Sequence, residues 1–257
     1  DKILDKNLIP EGLDITHNSD INNINDNLNY SGINYLGELD NKNPEPMIAL
    51  NKALAFCGIS IKVDPGFKCD QVIEIIYLKS DKYKNNNNLT ENLNNELLVK
   101  NYRHNILLGS NSSLKIAEAS LCVLEDNVEK SNNLECLNNV INNIELGESA
   151  ELDYLHYTKS GVSSENTVHA ININQNKDSV FKAFNADFSC GLNRFDINVL
   201  LSQSGARCQL NGVYTLSEKA HSDHHTRVRH IADNTVSDEC YFGVLGDKSV
   251  GVFNGEL

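Results

Sequence analysis

The sequence predicts a mainly β protein with a solenoid core, and two observations support this prediction. From Asn101 onward, short apolar segments alternate with small or polar turns. The residues that precede four of these turns, Leu108, Leu146, Ile173 and Leu201, are 38, 27 and 28 positions apart. A period of this length with two short strands is typical of stacked β-coils that share one apolar interior. A β-sandwich also has short strands and regular turns, so periodicity alone leaves it open as an alternative.

A short amphipathic helix is predicted ahead of the first core strand. Pro44 and Pro46 mark its beginning, and Gly58 is a favourable C-cap. After Gly58 the apolar period changes to two, which predicts a strand over residues 59–63, a turn at residues 64–66 and a second strand over residues 72–78. The apolar positions of the predicted helix are Ile48, Leu50, Ala53, Leu54 and Cys57.

Polar, asparagine-rich segments separate these elements. Residues 1–43 are predicted to form a polar arm in which residues 22–29 are a loop. Residues 79–100 and 126–139 are interpreted as polar insertions between strands. The chain is therefore divided into an N-terminal arm with the short helix, residues 1–58, and a β-helix core, residues 59–257.

Charge and motifs exclude several classes of function. The formal net charge of -13 argues against nucleic acid or an anionic membrane surface as the main partner. No apolar run is long enough to span a bilayer, and the first residues lack the pattern of a signal peptide. Neither GxxxxGK[ST] nor GxGxxG occurs, so we expect no nucleotide binding by this chain.

Seven cysteines are scattered along the chain without a CxxC pair. This spacing predicts reduced thiols in the cytoplasm, and neither a disulfide framework nor a zinc site. Most of them are expected to be small buried apolar residues. Cys208 and Cys240 fall in strand-like segments, where an inert core role is expected. The others are Cys57, Cys69, Cys122, Cys136 and Cys190.

A histidine cluster stands out near the C-terminal end. In a strand, alternation places His225 on a face with two arginines, and it points His230 inward beside Val228. A metal or proton-transfer site is one interpretation. Structural histidines that hydrogen-bond to neighbouring coils are the favoured one, because only Asp223 offers a nearby acid and no zincin spacing occurs. We therefore predict no catalytic residue and no metal ligand. The cluster consists of His221, His224, His225 and His230.

Two alternatives come from the behaviour of other solenoids. A β-solenoid enzyme acting on acidic polysaccharide would use grouped carboxylates and aromatic platforms. This chain has no Trp, its aromatic content is 7%, and its acids lie mainly in turns. The other alternative is a purely structural β-solenoid that displays loops.

The C-terminal stretch carries a family resemblance. Residues 210–214 (LNGVY), 221–230 (HSDHHTRVRH), 237–245 (SDECYFGVL) and 252–255 (VFNG) resemble successive strands and turns of the SufB/SufD family of iron–sulfur cluster assembly proteins. Residues 49–63 (ALNKALAFCGISIKV) resemble the helix and first strand that lead into the β-helix of that family. The resemblance extends from about residue 45 to the end, and the SufD branch fits better because SufB-like thiol-bearing motifs are not evident.

This resemblance implies a fold and a set of partners. It implies a right-handed parallel β-helix and a non-catalytic scaffold role in iron–sulfur cluster assembly. A SufB-like subunit would be the partner, and a separate SufC-like ATPase would bind through a C-terminal helical region that the family carries beyond VFNG. On this reading the chain is a fragment that lacks that region, and it holds no cofactor of its own. The iron–sulfur cluster would be handled by the complex.

Overall fold

The computed structural model describes residues 9–17, 46–55, 57–80, 97–123, 135–159 and 165–257. In these residues the chain is mainly β, with one helix and fourteen strands. The loop predicted at residues 22–29 lies outside them. The elements are β1 (Leu13–His17), α1 (Pro46–Leu54), β2 (Ile59–Val63), β3 (Lys68–Ser80), β4 (Leu97–Leu108), β5 (Ser113–Val123), β6 (Glu135–Leu146), β7 (Glu151–Lys159), β8 (Glu165–Gln175), β9 (Val180–Asp187), β10 (Leu192–Leu201), β11 (Arg207–Leu216), β12 (His221–His230), β13 (Val236–Leu245) and β14 (Val250–Glu256).

The chain alternates between two sheets. The eight-stranded sheet has the order β1-β2-β4-β6-β8-β10-β12-β14, and the six-stranded sheet has the order β13-β11-β9-β7-β5-β3. The described strand pairs are parallel, apart from the antiparallel pair of β1 and β2. Parallel strands that return to the same sheet at every second position are the arrangement of a β-solenoid, in which each coil gives one strand to each sheet. The predicted fold class is confirmed.

Register defines the repeat and corrects one of its boundaries. Leu146 pairs with Leu108, 38 positions earlier, as the sequence predicted. The next equivalent residue is Gln175 and not Ile173, so the following steps are 29 and 26 positions. A polar residue at this place resembles a turn in sequence. In the structure the Gln175 amide is buried and donates to the backbone carbonyl of Arg207 at 2.9 Å, which allows the strand to continue.

The turns between the sheets reuse one local design. Non-glycine residues with φ between 55° and 58° occupy corresponding turns, among them Asn111, Ser149 and Asp178. After each of these three a small residue follows and is buried, as at Ser112, whose hydroxyl donates to the carbonyl of Gly109 at 2.7 Å. Short polar side chains tolerate the left-handed conformation best, which explains the polar turn signal in the sequence.

Helix α1 confirms the predicted helix but docks through a different side chain. Ala53 and Leu54, both expected on the apolar face, are exposed, whereas Asn51 is fully buried. The Asn51 amide donates to the backbone carbonyls of Tyr102 and Asn139, each at 2.9 Å. Gly58 does not cap the helix, which ends at Leu54.

Asparagine side chains stabilise a strand whose first residues were predicted to be a polar insertion. Strand β6 begins at Glu135, so residues 135–139 are not an insertion. Asn139 donates to the Asn101 side chain at 3.0 Å and to the Met47 carbonyl at 2.8 Å. A second ladder joins equivalent residues of four successive coils by side-chain hydrogen bonds of 3.0–3.3 Å. Its members are Asn105, Asn143, Asn172 and Asn198.

The apolar core lies between the two sheets and continues through successive coils. Leu, Ile and Val at alternate strand positions fill it, with Phe181 and Phe195 as its largest fully buried side chains. Strand β1 adds Leu13 and Ile15 to this core at the first coil. It lies in the predicted arm, and the division of the chain at residue 58 stays a prediction. No helix in the described residues is long and apolar enough to cross a membrane.

Candidate functional site

The histidine cluster separates to both faces of β12. His224 is 1% exposed and points into the core, whereas His221 and His225 lie on the outer face. The predicted inward position of His230 is wrong. Its parity is correct, but the strand ends there, and the exposed ring contacts Thr235 Oγ1 at 2.7 Å and Ser237 Oγ at 3.1 Å. The cluster therefore does not converge on one point.

An ion-pair network occupies the outer face of β10 and β12. Arg194 binds both carboxylate oxygens of Asp196 at 2.9 and 3.0 Å, and it reaches Asp223 at 3.0 Å. The His225 ring lies 2.7 Å from the other oxygen of Asp223. Both carboxylates are thus engaged by neighbouring cations or donors, which is a structural arrangement rather than a free acid pair for sugar chemistry.

The interior holds a second polar set, of which the histidine pattern in the sequence indicated only His224. We name it the polar column. It runs between the sheets from β3 and β4 to β12, with side chains that contact one another across several coils. Its members are Tyr77, His104, Glu118, Asn142, Tyr154, His156, His169, Asn185, Asp187, Ser222 and His224.

Strand register places these side chains in line. Glu118, His156 and Asn185 are direct neighbours on β5, β7 and β9 of one sheet. In the other sheet, His169 on β8 is separated from His224 on β12 only by Phe195 on β10. Because inward positions recur at the same register in each coil, polar residues at these positions must stack along the interior.

Glu118 is the centre of the first half of the column. The carboxyl group is 1% exposed and accepts hydrogen bonds from Tyr77 at 2.7 Å, from Asn142 at 2.6 Å and from the Tyr154 hydroxyl. Burial raises the pKa of Glu118 to about 7, although the bonds from Tyr77 and Asn142 act in the opposite direction. Burial therefore favours the neutral carboxylic acid over the charged carboxylate.

The imidazoles of the column are held neutral. Burial lowers the pKa of His104 to about 3, and the nearby His17 adds to this effect. Burial also lowers the pKa of His156 to about 4 and the pKa of His169 well below its ordinary value. The His156 and His169 rings meet edge to face, with Nε2 of the first 3.0 Å from Nδ1 of the second. A neutral ring donates at one nitrogen and accepts at the other, so the hydrogen bonds on its two sides run in the same direction.

Asp187 and Ser222 form the far end of the column. The Ser222 hydroxyl donates to Asp187, and its oxygen lies 2.8 Å from Nε2 of His224. The backbone N–H of Ser189 also donates to Asp187 at 2.9 Å. Burial lowers the pKa of His224, although Asp187 and Asp223 oppose this shift. A buried carboxyl group thus ends the series of imidazole and amide groups.

The thiols differ from their predicted environments in part. Six of the seven side chains are described, and of these Cys69, Cys136 and Cys208 are buried as expected. Cys57 and Cys190 are partly exposed. Cys240 is exposed, so the core role expected for it is wrong: it occupies an outward position of β13. The Cys122 side chain lies outside the described set.

Burial and the neighbouring Glu239 raise the pKa of the Cys208 thiol to about 12, which agrees with an inert core role. A separate contact was not foreseen from sequence. Cys57 Sγ lies 3.6 Å from Nε2 of His17, a residue of the predicted arm. His17 and Cys57 are 40 positions apart, with the helix between them, and they share no sequence motif that would predict the contact.

The part of the chain that the structure describes holds no preassembled set of metal-binding side chains. No set of three or more His, Cys, Asp or Glu side chains is arranged there to hold a metal ion. The polar column is instead a set of hydrogen-bond donors and acceptors inside a closed interior, in which Oδ1 of Asn142 and Nε2 of His169 have no partner.

Fold and interior together define a β-solenoid protein whose apolar core contains a line of imidazole, amide and carboxyl groups. The chain also matches a family model over residues 90–257, the model of the SufBD core domain of the SUF system of FeS cluster assembly. The chain belongs to this family and has a role in iron–sulfur cluster assembly by the SUF system. The model covers SufB and SufD together, so it supports the family and not one branch of it. No curated protein matches the chain.

The polar column could have been found from sequence only after the strands were aligned. In β7 the inward positions read Leu152, Tyr154, His156 and Thr158, so apolar and polar residues share one face. A polar residue on an inward face is the available signal. Its partner in the other sheet follows from register, which the sequence repeat gave only to within two residues.

Proposed function

We propose that this chain is a non-catalytic scaffold subunit of the SUF system that resembles SufD and pairs with a SufB-like subunit. The observation that carries the proposal is the family match over residues 90–257. This range takes in every strand from β4 to β14 and leaves out β1, β2 and β3. The shared domain is therefore most of the β-coil scaffold and not a local motif.

Two features support the absence of catalysis by this chain. The imidazole and carboxyl groups of the polar column are buried, with Glu118, His169 and His224 each 1% exposed, so a substrate has no direct contact with them. The sequence contains no phosphate-binding glycine motif. ATP hydrolysis would be supplied by a separate SufC-like ATPase, and the iron–sulfur cluster would be cargo of the complex and no resident cofactor of this chain.

Co-purification tests the partner assignment. The tagged chain would be expressed anaerobically with SufB-like and SufC-like subunits of its own source and recovered through the tag. We expect the SufB-like subunit to elute with it in an equimolar ratio at moderate salt. A tagged chain that is folded by circular dichroism but elutes without the SufB-like subunit would refute the pairing. An unrelated solenoid protein that carries the same tag is the control for non-specific capture.

A further inference from the structure

Hydrogen-bond directions in the first half of the polar column are determined by a backbone group. The Ile59 N–H donates to Nδ1 of His104 at 3.1 Å. An accepting Nδ1 carries no hydrogen, so the neutral His104 ring has its hydrogen on Nε2. That N–H donates to the Tyr77 hydroxyl at 2.5 Å, and the Tyr77 hydrogen is then donated to Oε1 of Glu118 at 2.7 Å. Each of the three bonds from the Ile59 N–H onward therefore points toward Glu118.

Directions in the second half are determined from Asp187. Its carboxylate accepts from the Ser189 N–H and from the Ser222 hydroxyl. Since the Ser222 hydrogen is used there, the Ser222 oxygen accepts from Nε2–H of His224 at 2.8 Å. Nδ1 of His224 is then an acceptor, and the Asn185 amide nitrogen donates to it at 3.1 Å.

The same logic continues to the centre of the column. With its nitrogen directed at His224, Asn185 presents its oxygen to Nδ1 of His156 at 3.0 Å, so His156 carries its hydrogen on Nδ1. Nε2 of His156 therefore accepts from Nδ1–H of His169 at 3.0 Å. Neutral His169 has no hydrogen left for Nε2. Every bond in this half points away from Glu118.

The two halves meet at a contact that lacks one hydrogen. Nε2 of His169 faces Oε1 of Glu118 at 3.8 Å, and it has no hydrogen-bond partner. Both side chains are 1% exposed. Two buried acceptors that face each other are costly, and a distance of 3.8 Å is beyond a hydrogen bond. One proton placed on either atom would replace these two facing acceptors with a donor that faces an acceptor.

We propose that Glu118 carries this proton on Oε1 and directs it at Nε2 of His169, so that the hydrogen-bond directions in both halves of the polar column run the same way, from the Ile59 N–H to Asp187. The assignment satisfies each oxygen of a neutral carboxylic acid. Oε2 is the carbonyl that accepts from Asn142 and Tyr154, and Oε1 is the hydroxyl that accepts from Tyr77. Loss of this proton is the pH-sensitive event of the interior.

The groups around Glu118 agree with a proton on the carboxyl rather than on the ring. Tyr77 faces it from β3, His104 lies nearby on β4, Asn142 faces it from β6, Tyr154 and His156 from β7, and His169 from β8. None of these supplies a cation, because the three imidazoles are held neutral by burial, which lowers the pKa of each. Burial raises the pKa of the carboxyl, so it retains its proton to about neutral pH.

Deprotonation would leave a charged carboxylate against the lone pair of His169. The repulsion falls on the contact between β5 and β8, one strand from each sheet. We therefore expect the coils to loosen there above neutral pH and to tighten again on return to lower pH. The pH-dependent contact between Glu118 and His169 is independent of the proposed pairing with a SufB-like subunit, so one proposal can be refuted while the other holds.

Infrared spectroscopy tests the protonation state directly. Wild-type protein at pH 6 should show the carbonyl band of a buried protonated carboxylic acid, which disappears with a midpoint near pH 7. The band should be absent from Glu118→Gln and unchanged in the control Glu148→Gln, which alters an exposed turn residue. A wild-type spectrum without this band at pH 6, or the same band in Glu118→Gln, would overturn the proposal.

Nuclear magnetic resonance gives a test that needs no variant to fold. Long-range proton–nitrogen correlations of protein labelled at histidine nitrogen report which ring nitrogen carries hydrogen. We expect Nδ1–H tautomers for His156 and His169, and Nε2–H tautomers for His104 and His224. Hydrogen on Nε2 of His169 at pH 6 would place the proton elsewhere and refute the assignment.

Discussion

Glu118 combines near-complete burial with three hydrogen-bond donors, and this combination sets how it responds to pH. Its pKa in the folded protein is raised to about 7, whereas an unfolded glutamate titrates near its ordinary value of 4.5. A raised pKa means that the stability contributed by the protonated group is fully present below the unfolded value. This stability is lost as pH rises through 4.5 toward 7.

Replacing Glu118 with Gln should remove this loss. Between pH 4.5 and pH 8 the free energy of unfolding of Glu118→Gln should rise relative to wild type by about 3 kcal/mol, which is the linkage cost of the raised pKa. Urea unfolding at several pH values measures the difference. The buried histidines lose stability as pH falls in both proteins, so the comparison isolates Glu118.

Glu148→Gln is the matched control for this prediction, because Glu148 is an exposed turn residue paired with Lys177. Its difference from wild type should change far less over the same range, because an exposed ion pair contributes little to stability. An equal shift in both variants would show that the effect does not come from the buried carboxyl.

Sequence alone could not identify Glu118 or His169. The histidine pattern near the C-terminal end drew attention to residues 221–230, and of these only Ser222 and His224 belong to the polar column. The other column residues are far apart in sequence, and none forms a motif. Their role depends on the side chains that face them from other coils.

Among the structural elements, β11 and β13 show how one glycine makes room for an aromatic ring on the neighbouring strand. Gly212 and Tyr241 are register neighbours in the ladder that also contains Asn185. A Cβ atom on Gly212 would lie 2.2 Å from Cε1 of the Tyr241 ring. The missing side chain therefore leaves the space in which the aromatic ring packs. The strand alternation was predictable here, but the role of the glycine was not.

Gly212→Ala should therefore destabilise the last coils. Overpacking of this kind typically costs about 1–3 kcal/mol. Thermal or urea unfolding measures the loss. Gly246→Ala is the matched control, since its nearest neighbour would be a carbonyl oxygen at 3.6 Å, an ordinary contact. Equal stability of the two variants would mean that Tyr241 moves aside without cost.

The strands themselves were largely predictable, because alternation and turn chemistry repeat in each coil. The exceptions have a common physical cause. Gln175 and Asn139 are polar residues that lie within strands, since backbone or asparagine oxygens accept hydrogen bonds from their amide nitrogens. Asn51 docks α1 in the same way. Local patterns assign such residues to turns and loops, whereas stacking makes them structural.

At the scale of the whole molecule, two sheets of parallel strands enclose one continuous core. The period and the C-terminal strand motifs were sufficient to predict this architecture and the family. Partner choice is different, because it depends on surfaces that no internal repeat encodes. The proposed role as a SufD-like scaffold that pairs with a SufB-like subunit concerns the complex of subunits, so it must be tested on that complex.

Anaerobic reconstitution of an iron–sulfur cluster tests this account most directly. A SufB-like subunit, a SufC-like ATPase, ATP, ferrous iron and a sulfide source would be combined with and without this chain, and bound iron, bound sulfide and visible absorption would be measured. We predict that cluster formation requires the chain or is raised by it at least several-fold. An equal cluster yield with and without the folded chain would contradict the proposed role.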